Sequence, residues 1–207
     1  MIPHRIHQLW VGPLPAPVKW LATWPEKHPD SEFHRWDEER VRTYPWRPHV
    51  RGLIDHWWSL RDWPGVADCA RYQILHDFGG FWATADSQCL HPVTELLDAH
   101  EFFAVATNEK HRPGDVAPII GTTPEHPFMA FVLDRLREVE PGGRHAVDAV
   151  GNRFLTRCVD AWPEPLTILP SYSFIPTWKG REEYEGPGKV YATHEWGTTT
   201  RSYGRGA

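Results

Sequence analysis

Apolar and polar positions along the 207-residue chain fall into short blocks of two kinds. Blocks of the first kind are dense in Ile, Val, Leu and aromatic residues and end at Gly, Pro or Asp, which predicts strands. They are "RIHQLWVG" before the proline-rich turn "PLPAP", then "EFHRW", "FWATAD", "FFAVAT", "APIIGT", "LTILP" and "KVYATHEW". Blocks of the second kind carry apolar residues at helical spacing. They are "VKWLATWPEKHP", "DEERVRTY", "HVRGLIDHWWSL", "GVADCARYQILHDFGG", "HPFMAFVLDRLREV" and "HAVDAVGNRFLTRCVDAW". Pro45 and Pro48 separate the second of these from the third, since proline has no N–H to continue a helix. Gly79 and Gly80 stop the fourth. Strand and helix blocks mostly alternate, without internal repeats, so a layered α/β domain over 1–207 is predicted. Ligands of such folds bind past the carboxyl ends of strands, and Asp86 stands at the end of "FWATAD".

Composition narrows this only slightly. Net charge is −5 with His neutral, which argues against broad electrostatic binding to a nucleic-acid backbone. The three cysteines, Cys69, Cys89 and Cys158, form no CxxC pair. A disulfide scaffold or zinc–thiolate site is not expected, and a reducing, cytoplasmic setting is. The N-terminal "MIPHRIHQLWVG" lacks the apolar core of a signal peptide, and no apolar run reaches the roughly 20 residues of a membrane span. Twelve Trp residues supply either core packing or flat platforms for rings.

Three places could carry chemistry. Asp68, Arg71 and Tyr72 sit at i, i+3 and i+4 of the helix before "FWATAD", close together on one flank. By spacing alone this is a solvent-exposed ion pair. The apolar stripe Cys69, Tyr72, Leu75, Phe78 beside it would let the pair line a cleft instead. Asp86 is either a turn residue or a hard oxygen ligand for Mg²⁺ or Mn²⁺, which on a diphosphate need only one or two protein carboxylates. His194 and Glu195 close the strand of "YATHEW", where a histidine is either packed or a ligand.

Taken in order, "IPHRIHQLWVG", "VADCARYQILHDFGGFWATADSQCLHP", "IIGTTPEHPF", "VGNRFLT", "LTILPSYSFIP" and "YATHEW" resemble successive blocks of the DXD-containing sugar transferases of glycosyltransferase family 32. The catalytic domains of the large bacterial glucosylating toxins share the core motifs. The resemblance implies a GT-A fold, a nucleotide-sugar-binding α/β sandwich around a mixed central sheet. It implies retaining transfer of a hexose from a nucleotide-sugar, UDP-hexose in first place and GDP-mannose in second. The acceptor is open: a glycan, a lipid, a protein or a modified DNA base. Carried over residue by residue, Asp68, Arg71 and Asp86 are catalytic. His7, Gln8, Trp10, Tyr72, Trp82 and Thr84 hold the donor, with Trp10 stacked on the base. Asp86 and His194 bind Mn²⁺ or Mg²⁺.

The chain departs from that pattern in three ways. Thr84-Ala85-Asp86 stands for DXD, so the first carboxylate is replaced by a neutral hydroxyl. "GTTTRSY" follows the C-terminal block where the family has Ser-Trp, and "DVAPIIG" lacks the Asn that often precedes "IIG". Two other functions stand beside the transferase. One is a catalytically weak relative that only binds a nucleotide or sugar. The other is a metal hydrolase using His7, Asp86 and His194, which no HExxH-type spacing supports.

Overall fold

A computed structural model describes residues 1–140, 142, 145–179, 182–183 and 186–197. Its centre is a six-stranded mixed sheet. Strands β1 (Arg5–Leu9), β2 (Glu32–Trp36) and β3 (Gly80–Trp82) run parallel, with β1 in the middle. An antiparallel hairpin, β5 (Phe102–Asn108) and β6 (Arg112–Thr122), joins through β6 to β3. The short β7 (Ile168–Leu169) closes the far edge parallel to β5. Outside this sheet, β4 (Ser87–Cys89) pairs with β10 (Ala192–His194), and β8 (Thr177–Trp178) with β9 (Glu182–Glu183). The mixed α/β class and the mixed central sheet are those expected.

Two apolar cores lie on opposite faces of the sheet, and strand alternation sorts the side chains between them. Phe81 and Ala83 face one core, with Ile6, Phe103 and Val105. Trp82, between them, faces the other, with Leu9, Ala104 and Ile120. Helices α2 (Glu38–Thr43), α3 (Pro48–Ser59), α4 (Trp63–Phe78), α6 (Pro127–Leu136) and α8 (Asn152–Ala161) contribute to the Trp82 side. Helices α1 (Val18–Lys27) and α5 (Thr94–Ala99) cover the Phe81 side.

Helix α4 is the central helix and aims the site. Asp62 caps it by accepting from the Gly65 N–H, and Gly79 stops it. Gly79 and Gly80 both have positive φ, 61° and 98°. A Cβ at Gly80 would collide with the Arg5 carbonyl oxygen. The glycine pair therefore permits β3 to leave α4 in tight contact with β1.

Several predicted boundaries shift. The strand predicted over "FWATAD" ends at Trp82, and Ala85 and Asp86 lie in a turn. The helix predicted over "HAVDAVGNRFLTRCVDAW" divides at Gly151 into α7 (Ala146–Ala149) and α8. Strands β4, β8 and β9 and helix α5 were not predicted at all. No helix among the described residues is long and apolar enough to cross a membrane.

Candidate functional site

A cleft of about 1080 Å³ opens past the carboxyl ends of β1 and β3. Of the residues singled out in the sequence, Trp10, Asp68, Arg71, Trp82, Thr84, Asp86 and His194 line it. Five of the twelve Trp residues face it: Trp10, Trp63, Trp82, Trp178 and Trp196.

Asp68 and Arg71 form no exposed ion pair. Their residues are 9% and 5% exposed, and Arg71 Nη1 lies 2.8 Å from Asp68 Oδ1. That ion pair occupies Nη1, while Nε of Arg71 is buried without a hydrogen-bond partner. The guanidinium lies 5.1 Å from the Trp82 ring centre, so helix α4 and strand β3 hold it from two sides. Burial pushes the Asp68 carboxyl up to about 6 while the Arg71 charge pulls the other way. Gly151 backs the pair: a Cβ there would sit 2.8 Å from Asp68 Oδ2.

Thr84 follows β3. Its hydroxyl oxygen is buried without a partner, while its carbonyl accepts from the Ser87 hydroxyl at 2.6 Å, closing the turn that carries Asp86. Two buried polar atoms without a hydrogen-bond partner on residues lining one cleft, Arg71 Nε and Thr84 Oγ1, are unusual, because such groups cost about 1–3 kcal/mol each unless something satisfies them.

Asp86 is clasped by the segment after β10. Its main-chain carbonyl accepts from Glu195 N–H at 2.7 Å, and Oδ2 accepts from Gly197 N–H at 3.0 Å. His194 Nε2 lies 3.4 Å from Asp86 Oδ1. The other ring nitrogen, Nδ1, accepts from the Trp196 N–H at 3.2 Å. Trp196 has a φ of 54°, a left-handed backbone that side chains rarely adopt, and its indole N–H donates to the Thr177 carbonyl at 2.9 Å. No cluster of three or more His, Cys, Asp or Glu able to hold a metal occurs among the described residues. Asp86 offers the cleft a hard carboxylate, the ligand type that a divalent cation on a diphosphate can use.

Three expected donor residues do not reach the cleft. His7 is fully buried, donates from Nε2 to the Gly79 carbonyl at 2.9 Å and accepts the Trp36 indole N–H on Nδ1 at 3.2 Å. Burial holds its pKa down at about 3. Both ring nitrogens are committed to the core, so His7 cannot join Asp86 and His194 as a hydrolase ligand. Gln8 is 2% exposed and donates to the Leu21 carbonyl. Tyr72 is buried and donates to the Val150 carbonyl at 2.9 Å, tying α4 to the end of α7.

The cleft also includes residues that sequence reading passed over. Asn152, at the start of α8, donates to the Thr107 hydroxyl at 3.1 Å, and both line the cleft. "VGNRFLT" was the available signal. Asp115 lines the opposite strand β6, from the "DVAPIIG" block. Trp178 stacks against His111 at 5.2 Å and stands edge-on to Trp196. The segment "TTTRSY" after Gly197 lies outside the described residues.

No family model matches the chain. Inositol phosphoceramide mannosyltransferase 1 of Schizosaccharomyces pombe is 29% identical over 184 residues, covering 84% of this chain and 51% of that protein. Mannosyl phosphorylinositol ceramide synthase CSH1 of Saccharomyces cerevisiae is 29% identical over 145 residues, covering 66% of this chain and 36% of that protein. An uncharacterised glycosyltransferase of Acanthamoeba polyphaga mimivirus is 24% identical, covering 66% of this chain and 56% of that protein. This chain is a relative of glycosyltransferases. It spans about half the length of the first of them and less of the second. Among solved structures, the PaToxG glycosyltransferase superposes with a TM-score of 0.61 at 14% identity, over 76% of this chain and 69% of that one. That likeness is one of fold.

Proposed function

We propose that this protein transfers a hexose from a nucleotide-sugar to an acceptor with retention at the anomeric carbon, in a GT-A cleft. The observation that carries the reading is the pair of buried polar atoms without a hydrogen-bond partner, Arg71 Nε and Thr84 Oγ1, on residues that line the same cleft as Asp86 and Trp10. A sugar diphosphate offers what those atoms need: anionic oxygens for the guanidinium and hydroxyls for Thr84 and Asp68. Trp10 gives the base a flat edge.

Asp86 would hold Mn²⁺ or Mg²⁺ together with the donor's own oxygens. Bound there, the cation screens the diphosphate charge that grows as the sugar departs. Arg71 does the same from a fixed, desolvated position, where its charge acts more strongly than in water. Asp68 orients the sugar and stabilises positive charge developing at the anomeric carbon.

We take GDP-mannose beside UDP-hexoses as donor candidates, because two of the relatives are named for mannosyl transfer. Their named acceptors favour a lipid headgroup here too. Three of the six exposed large hydrophobic residues among the described ones, Leu14, Leu60 and Val147, line the cleft, and this apolar lip suits an amphiphile. Three free, buried cysteines accord with a reducing, cytoplasmic face.

The test is a panel of UDP- and GDP-sugars with Mn²⁺, scored for sugar release without acceptor and for transfer to inositol-phosphate lipids. Release from one donor with retained configuration supports the reading. Binding without turnover would reduce the chain to a nucleotide-sugar-binding relative, and no binding of any donor would overturn the assignment.

A further inference from the structure

We infer that His194 is a hydrogen-bond donor to the leaving phosphate and not a metal ligand, so that a divalent cation in this cleft is held by Asp86 and the donor alone. The inference rests on the proposed transferase reading for its ligand, but its geometric core does not. A histidine binds a metal through a ring nitrogen's lone pair, and the other nitrogen then carries the hydrogen and donates it. In this structure Nδ1 accepts a main-chain N–H, that of Trp196. The ring hydrogen must therefore sit on Nε2, which turns toward Asp86 and the cleft. For Nε2 to bind a metal, the ring would have to move its hydrogen to Nδ1, where it would face the Trp196 N–H head-on.

The backbone enforces this arrangement. Trp196 is held left-handed, and the turn aims three successive N–H groups. Glu195 N–H goes to the Asp86 carbonyl, Trp196 N–H to His194 Nδ1 and Gly197 N–H to Asp86 Oδ2. The Trp196 indole, bonded to the Thr177 carbonyl, holds the residue in that conformation. One strained turn thus fixes the carboxylate and the ring hydrogen together. The Nε2–Oδ1 distance of 3.4 Å is long for a hydrogen bond. The Nε2 hydrogen therefore remains available to an anionic oxygen brought in by the donor. As the bond from the anomeric carbon to the diphosphate breaks, its electron pair passes to that oxygen, and a donor placed there gains strength.

Two measurements decide the matter. The first is ¹⁵N NMR of the His194 ring in the neutral form, before and after addition of Mg²⁺ and Mg²⁺ with UDP or GDP. The hydrogen stays on Nε2 throughout if the inference is right; its transfer to Nδ1 on adding metal would overturn it. The second is calorimetry of His194→Ala and His194→Gln, after circular dichroism confirms the fold. Gln can place an amide N–H near the Nε2 position. The expected result is unchanged Mn²⁺ affinity in both variants, with affinity for UDP or GDP falling roughly ten- to hundredfold in Ala and largely restored in Gln. A tenfold loss of Mn²⁺ affinity of the nucleotide-free protein in His194→Gln would also overturn it. If the unaltered protein binds neither nucleotide, the transferase reading fails, while the NMR result still decides the ring's role toward metal.

Discussion

Replacing Gly151 by Ala tests whether Asp68 is held in place by the break between α7 and α8. A Cβ at this position would meet Asp68 Oδ2 at 2.8 Å, the Val147 Cα at 2.9 Å and the Val147 carbonyl oxygen at 3.1 Å. Ordinary contacts begin near 3.4 Å, so about 0.6 Å must be found on the carboxylate side. Val147 is backbone and yields little; the Asp68 carboxylate is the softer partner. If the helix break yields, overpacking costs about 1–3 kcal/mol, which for a chain of this size lowers Tm by roughly 2–12 °C. If Asp68 yields, it leaves Arg71 and the donor hydroxyls. Loss of one charge-assisted hydrogen bond worth about 1.5–3 kcal/mol then lowers kcat/KM roughly 10- to 150-fold. Gly52→Ala in α3 is the control, because nothing lies within 4 Å of its new Cβ. That variant should gain about 0.5–1 kcal/mol without change in turnover. Thermal melts and donor-hydrolysis kinetics on both variants read the outcome. Wild-type Tm together with wild-type kcat/KM in Gly151→Ala would refute the idea that Gly151 packs against a functional Asp68.

Other consequences can be checked with similar tools. Trp10→Ala should weaken UDP or GDP binding by roughly 1–3 kcal/mol with little change in Tm, measured by calorimetry; a large loss of stability with normal affinity would return Trp10 to the core. Asp86→Asn should abolish sugar release, and Thr84→Asp should tighten Mn²⁺ binding to the nucleotide-free protein; if Thr84→Asp leaves Mn²⁺ affinity unchanged, Asp86 is not at the cation. The raised Asp68 pKa means the folded chain holds that proton more tightly than the unfolded one. Relative to Asp68→Asn, the wild type should therefore lose stability as pH rises from about 4 to about 6, and the difference should be flat above that. A difference that grows in the wild type's favour over that window would show that Arg71 outweighs burial.

The sequence carried the order of elements well, because periodicity is local. It carried the site unevenly. Spacing put Asp68 beside Arg71, but whether the pair is wet or dry depends on Trp82, on the next strand, and on Gly151, far along the chain. His7 and Gln8 looked available because they adjoin Trp10. Their partners, Trp36, Gly79 and Leu21, are brought by other elements, and no local pattern announces them. The break at Gly151 was hidden for the same reason, since apolar spacing continues smoothly across it. Strands β4 and β10 are three residues each and find their register only in each other.

The clasp on Asp86 has a bearing on how the chain becomes active. Gly197 is 111 residues from the carboxylate it bonds, so the loop it closes is among the long ones in the molecule. The parallel pairing of β1 with β2 and the winding of α4 need only short or moderate loops, whereas this clasp pays the entropy of a long one for a few hydrogen bonds. The sheet can therefore be complete while the cleft is still open on its Asp86 side. In a refolding experiment, tryptophan fluorescence of the core should recover first and competence for nucleotide should arrive later, as a separate phase.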